Sequence, residues 1–296
     1  MTTDTKEVIY QQTIANVTQT LEEADMILVG GASGMSAAGG ASWYSNDETY
    51  QKYFGKFEEK YQAGSVWNLF YLEYNGKKWL SRGHYWAFLI TLMKWIRQEP
   101  VYQPYKDLKK ILEGKEYEIV TTNQDHQFVE AFPKKDIAII QGDWTYFQCS
   151  ARCHDEVYSN VDIVDDLYEK IDGIYLDESL IPRCDKCGAE MQEWVRGYTF
   201  LEGSFYKEQY DKYHDFIEKT QGKKAVFLEL GVGMMTPMFI KEPFMNLTYN
   251  NTQASYITIN PKHALVPKEI EGQSIAVQED IAKVMKDVLR YQESVK

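Results

Sequence analysis

Six short apolar runs, continuous rather than alternating, set the tightest limit on how this 296-residue chain can fold. They are ILVGG (27 to 31), EIVTTN (118 to 123), IAIIQG (137 to 142), AVFLELG (225 to 231), SYITIN (255 to 260) and SIAVQED (274 to 280). A strand with one wet face alternates apolar and polar side chains, whereas one covered on both faces is apolar throughout. Runs of the second kind, separated by stretches long enough for crossover helices, predict an α/β fold with a parallel sheet. Val8, Ile14, Val17 and Leu21 precede the first run at helical spacing, and Ile281, Val284, Met285, Val288 and Leu289 follow the last. Amphipathic helices are expected up to about Glu23 and from about Asp280 to Glu293.

Two stretches break this rhythm. Residues 45 to 115 contain no good strand and are rich in aromatics, among them Trp67, Phe70, Trp79, Trp86 and Trp95. They read as a helical insertion, and YWAFLITLM (85 to 93) within them as a buried helix, far short of a membrane span. Residues 144 to 205 hold all four cysteines and read as a small grafted module. The expected layout is a single domain over 1 to 296. Its sheet comes from 20 to 44, 116 to 143 and 222 to 296.

The 32 basic and 44 acidic residues leave a net charge of -12, which repels nucleic acid and anionic membranes alike. The first 25 residues lack the cationic start and apolar core of a secretory signal, so the expected location is the cytoplasm. In a reducing compartment Cys149-x3-Cys153 and Cys184-x2-Cys187, thirty residues apart, suit a tetrahedral zinc site better than disulfides or a redox pair. Four thiolates leave no vacant position, so such a metal is structural and the chemistry lies elsewhere.

The ends of the strands carry that chemistry. ILVGGASGMSAAGG (27 to 40) resembles a phosphate-binding loop but fails both common templates. Ser33 and Ser36 stand where a dinucleotide fingerprint needs glycine, and Gly40 stands where a P-loop needs lysine. TTNQDHQF (121 to 128) gathers Asn123, Asp125, His126 and Gln127 at the end of the second strand, where open parallel sheets bind ligands. QGD (141 to 143) ends the third strand. Gly231, Val232 and Gly233 end the fourth, and Asn260 ends the fifth. Together they describe a neutral, backbone-rich cleft for a dinucleotide.

Taken in order, these pieces resemble the sirtuin family. GASGMS (31 to 36), TTNQD (121 to 125), QG (141 to 142), the two cysteine pairs, GVG (231 to 233) and Asn260 follow the family's sequence of motifs. The resemblance implies a Rossmann-like NAD-binding part, a zinc module and a helical insertion folded over a cleft. It places Gly31, Ala32 and Ser36 at the phosphates and Asn123 and Asp125 near the nicotinamide ribose and carboxamide. Gly231, Val232 and Gly233 would complete the phosphate cradle, Asn260 would hold the adenosine ribose, and Val277 would lie against the adenine. Gln141 occupies the place of the family's general-base histidine, and an amide cannot take a proton near neutral pH. It can still donate and accept hydrogen bonds. Trp43, Tyr44 and Ser45 replace a further motif after the first loop.

This combination is similar to the macrodomain-linked microbial branch of the family. That branch implies transfer of ADP-ribose from NAD to a protein acceptor, with Asn123, Asp125 and Gln141 at the reacting centre and a lipoylated carrier of the glycine-cleavage type as acceptor. A functional link to a macrodomain hydrolase is implied with it. An NAD-dependent deacylase using another base and a catalytically silent NAD-binding module are the alternatives.

Overall fold

A computed structural model describes residues 3 to 41 and 43 to 295. In chain order the strands are β1 (Met26–Gly31), β2 (Tyr117–Thr121), β3 (Ile137–Ile139), β4 (Gly142–Cys149), β5 (Val157–Ser159), β6 (Met191–Val195), β7 (Ala225–Leu230), β8 (Ser255–Ile259) and β9 (Ser274–Val277). Six of them form a parallel sheet in the order β3-β2-β1-β7-β8-β9. The other three form an antiparallel sheet with β4 between β5 and β6.

The continuous apolar runs are explained by what covers them. In β1, Ile27 and Val29 pack into a cluster with Leu21, Leu108, Ile111 and Val284, whereas Leu28 enters a second cluster with Phe216, Phe227 and Phe244. Successive residues of a strand face opposite ways, so a run without polar gaps needs a helical layer on each side. The helices Thr3–Glu22, Gln103–Ile111 and Ile281–Val295 cover one face, and Ser204–Lys219 and Lys241–Asn250 cover the other. Each side chain fully buried in this way contributes about 1.5 to 3 kcal/mol.

Helix Gln103–Ile111, inside the 45 to 115 stretch, buries Tyr105, Leu108 and Ile111 against the sheet. The rest of that stretch forms a third core around Phe54, Trp86, Phe88 and Trp95, which also takes in Trp144, Phe147, Cys149 and Cys184. Helical insertion and cysteine module therefore share one interior. The strands after β1 in the parallel sheet end before their apolar runs do, and for β2 and β3 the cause is plain. Thr121 closes β2 by donating from its hydroxyl to Gly31 O (3.0 Å) while accepting Asn123 N–H (2.9 Å). Gly142, at φ +82, turns the chain from β3 into β4; a Cβ there would lie 2.0 Å from Trp194 O.

Strand order reverses between β1 and β7. Ligands of open α/β sheets bind outside the carboxyl ends of the strands at such a switch point. The ends of β1, β2 and β7, together with the turn from β3 into β4, converge there.

Candidate active site

At the switch point the two glycine loops meet backbone to backbone. Ala32 N–H donates to Leu230 O (3.1 Å) and Gly34 N–H to Gly231 O (3.2 Å). A Cβ on Gly34 would lie 2.5 Å from Gly231 Cα, and Gly231 has φ +70, a conformation that disfavours any side chain. Asn260 fixes the second loop from behind. Its Nδ2 donates to Val232 O (3.1 Å), and its Oδ1 accepts the N–H groups of Lys262 and His263, each at 2.9 Å.

A cleft of about 350 Å³ opens beside this junction. Ala32, Ser36, Asn123, Asp125, Gln141 and Gly233 line it. Gly31, Gly231, Val232 and Asn260 are not among its lining residues, and Val277 is buried in the core with Ile281 and Val284. The opposite wall is apolar and comes largely from the insertion: Trp43, Tyr44, Val66, Trp67, Phe70 and Tyr71. Tyr44, Trp67 and Tyr71 form a chain of rings with centroids 5.4 and 4.5 Å apart.

On the polar side, four buried groups make one network. Ser36 donates to Asp125 Oδ2, so the 2.6 Å contact between Ser36 Oγ and Tyr105 OH has the tyrosine as donor. Asn123 Nδ2 donates to both Ser36 Oγ (3.1 Å) and Tyr105 OH (3.0 Å). Burial pushes the Asp125 carboxyl up to about 6, against the opposing hydrogen bonds from Ser36 and the Gln127 backbone. Tyr105 is fully buried and its phenol is held well above its ordinary range, first by burial and then by Asp125.

A carboxyl whose folded pKa is raised binds its proton more tightly in the folded chain, so its contribution to stability falls as pH rises from about 4 through 6. Asp125→Asn should flatten that part of the profile, with wild type losing about 2 to 3 kcal/mol relative to the variant between pH 4 and 8. Denaturant unfolding across that range measures it, and parallel profiles for the two proteins would contradict it.

Gln141 is 8% exposed and anchored through its backbone, whose carbonyl accepts from Arg196 N–H (2.9 Å) and Gln124 Nε2 (3.1 Å). Its own Nε2 is buried without a hydrogen-bond partner, as is Arg196 Nε. Arg196 also lines the cleft, its guanidinium 4.3 Å from the Phe200 ring centroid, donating to Tyr206 OH at 2.7 Å and ion-paired with Glu202.

His126 points elsewhere. Its Nδ1 lies 2.9 Å from Asp143 Oδ2 and 3.2 Å from Thr145 Oγ1. Thr145 donates its proton to Asp143 Oδ1 (2.6 Å), so Nδ1 is the donor in both contacts. Burial depresses the imidazole, but the Asp143 charge and hydrogen bond outweigh it and leave the net shift upward. The pair braces the loop carrying Asn123 and Asp125 against the segment that follows Gln141.

The sequence reading missed Tyr105 and Arg196. Both come from elements remote from the motifs, and neither sits in a pattern that distinguishes it from an ordinary helix or strand residue.

The four cysteines are free thiols in one cluster. Sγ separations are 3.7 Å for Cys149 and Cys153, 3.5 Å for Cys149 and Cys187, and 3.6 Å for Cys153 and Cys184. Ligands at the Zn–S distance of about 2.3 Å stand about 3.8 Å apart on a tetrahedron. The sulfurs therefore fit a structural zinc ion. His154 lies at the edge of the same cluster.

Among the described residues no helix is long and apolar enough to cross a membrane. No protein-family model matches the sequence. A protein ADP-ribosyltransferase of Staphylococcus aureus (strain Mu50 / ATCC 700699) is 34% identical over 276 residues, 91% of this chain and 85% of the relative. A probable bifunctional ADP-ribose hydrolase/ADP-ribosyltransferase of Fusarium oxysporum f. sp. cubense is 29% identical over 279 residues, 90% of this chain but 46% of that protein. A Sir2 homologue solved as an NAD complex superposes with a TM-score of 0.61 at 13% identity, covering 95% of this chain and 94% of that one. Sir2Tm bound to a propionylated peptide gives 0.56 at 15% identity, covering 95% and 98%. The chain has the sirtuin fold, and at this identity and coverage it belongs to the family of the Staphylococcus aureus protein ADP-ribosyltransferase.

Proposed function

We propose that this enzyme transfers a single ADP-ribose unit from NAD to a protein acceptor in the cytoplasm, and that the acceptor is a lipoylated carrier protein of the glycine-cleavage type. The observation that carries the reading is Gln141, a buried amide with an unpartnered Nε2 on the cleft wall where a deacylating sirtuin needs a base. Bound NAD supplies an activated sugar carbon, C1′, with nicotinamide as leaving group.

The residues fit this donor. At the Gly34 and Gly231 junction the two backbones pack too closely for any Cβ, and this close approach sets the shape of the neighbouring loop ends where a pyrophosphate would lie. Gln141 Nε2 donates to a ribose hydroxyl, which answers its missing partner. Asp125 is the only carboxylate among the cleft-lining residues, and once ionised it favours a sugar carbon that gains positive character. Asn123, fixed by Ser36 and Tyr105, keeps the wall from adjusting as charge develops, so the cost of reorganisation falls before the reaction begins. His126, tied to Asp143 and Thr145, is not among the lining residues. A route that must deprotonate a ribose hydroxyl therefore has no histidine in the cleft and only the Asp125 carboxylate to take the proton, whereas attack by an acceptor at C1′ needs no base on the ribose.

The apolar wall of Trp67, Phe70 and Tyr71 suits a long, thin aliphatic arm, which supports the lipoylated acceptor. The relative that joins this activity to an ADP-ribose hydrolase supports a hydrolase acting on the same modified protein.

The direct test is mass spectrometry of a lipoylated carrier incubated with enzyme and NAD. Gain of one ADP-ribose unit is expected, and Gln141→Ala should reduce the rate about 10²-fold, as loss of a positioned amide donor does. Release of O-acyl-ADP-ribose from an acylated peptide would overturn the transferase reading, and unchanged transfer by the variant would remove Gln141 from the mechanism.

A further inference from the structure

Five donor atoms crowd a metal site that needs four. Besides the four sulfurs, His154 Nδ1 lies 3.0 Å from Cys153 Sγ and 3.8 Å from Cys184 Sγ. The donor atoms of Cys149, Cys153, His154 and Cys184 all fall within 4.8 Å of one another. This set is already a complete three-cysteine, one-histidine ligand shell of the kind that holds structural zinc.

The other ring nitrogen shows why Nδ1 is available. His154 Nε2 is 2.7 Å from Tyr158 OH, and Tyr158 gives its own proton to Glu156. The phenol oxygen must therefore accept, the ring proton sits on Nε2, and the Nδ1 lone pair faces the sulfurs. Histidines that bind metals almost always donate their other N–H to a fixed partner, often ending in a carboxylate. Here Tyr158 stands between the ring and Glu156, which Lys186 pairs at 2.9 Å. The side chain of His154 is 9% exposed; of the two exposed cysteines, Cys153 and Cys187, only Cys187 lies outside the compact set that includes His154.

We propose that His154 is a reserve ligand of the zinc site. Four thiolates hold the ion at rest, and His154 Nδ1 takes the vacated position when the exposed Cys187 is lost or covalently blocked. The inference rests on the zinc reading of the cluster and is independent of the acceptor.

Cobalt(II)-substituted full-length protein tests it by absorption spectroscopy. Cys187→Ala should keep one cobalt per chain, with sulfur-to-metal charge-transfer intensity lower by about a quarter, since three of four thiolates remain. Cys187→Ala/His154→Ala should bind cobalt at least about tenfold more weakly than the single variant, the scale of a lost ligand or of its support. His154→Ala alone should keep the wild-type spectrum.

Equal affinities for the single and double variants would overturn the proposal. A changed spectrum in His154→Ala would make His154 a resident ligand and overturn it as well. If Cys187→Ala fails to fold, the readout moves to folded protein with all thiols intact. During alkylation by iodoacetamide, His154→Ala should release zinc to a chromogenic chelator about tenfold faster than wild type, and equal rates would overturn the proposal.

Discussion

Gly231→Ala should weaken NAD binding by about 100-fold or more, equivalent to about 3 kcal/mol. The backbone at position 231 has φ +70, and an L side chain in that region costs roughly 1 to 2 kcal/mol. The added carbon would also sit 2.5 Å from Gly34 Cα and 2.8 Å from Gly34 C. These are main-chain atoms of the opposing loop and cannot rotate away. Relief requires the two loops to part, and their close approach is what shapes the proposed pyrophosphate cradle. Calorimetric titration with NAD measures the loss. Affinity within threefold of wild type would mean that this junction has no part in binding the donor, whatever the effect on stability.

Lys241→Met should destabilise the fold by about 3 to 5 kcal/mol, the cost of leaving one member of a buried ion pair uncompensated. The Lys241 and Glu229 side chains are 3% and 0% exposed. All three ammonium protons are used, two on the Glu229 carboxylate at 2.8 and 2.7 Å and one on His263 O at 3.0 Å. Tyr256 donates to the same carboxylate. Burial raises the Glu229 carboxyl above its ordinary value even with Lys241 opposing it, and removing the lysine would raise it further.

An acid with a raised folded pKa loses stability as pH rises, because the folded state then holds more protons than the unfolded one. The penalty of Lys241→Met should accordingly be smaller at pH 5 than at pH 8. Glu229→Gln added to Lys241→Met should recover most of it, since no buried charge remains. Chemical denaturation of the three proteins at both values measures this. A penalty under about 1 kcal/mol, independent of pH, would mean that the pair behaves as an exposed one.

The sequence made the sheet legible because parallel strands packed on both faces leave a signature in every residue. The runs around Val29, Ile119, Leu228 and Ile257 could be placed without knowing their partners. Their ends were harder. A side-chain hydrogen bond from Thr121 and the left-handed turn at Gly142, rather than hydropathy, decide where β2 and β3 give way to loops. The strands β4 and β6 were hidden in a stretch dominated by its cysteines.

In the cleft, Asn123, Asp125 and Gln141 were found from their positions at or beyond strand ends. Tyr105 and Arg196 were not, because a polar partner brought in by tertiary folding has no fixed spacing from the residue it contacts. Asn260 illustrates the converse. It sits at a strand end as expected, yet its amide is consumed in holding Val232, Lys262 and His263.

One strand joins the two halves of the molecule. β4 follows directly from Gln141 and ends at Cys149, so a single length of chain, roughly 25 Å at the usual rise per residue, runs from the cleft wall to the metal cluster. The ion is too far away to touch a bound ribose. Held by Cys149, a zinc ion would act instead as a mooring, adding to the pairing of β4 with β5 and β6 and helping Gln141 keep its depth in the wall. Freeing that end would leave Gln141 held by its local bonds to Gln124 and Arg196 and by the pairing of β4 with β5 and β6. A metal with no vacant coordination position can in this way still set the tolerance of a reaction it never meets.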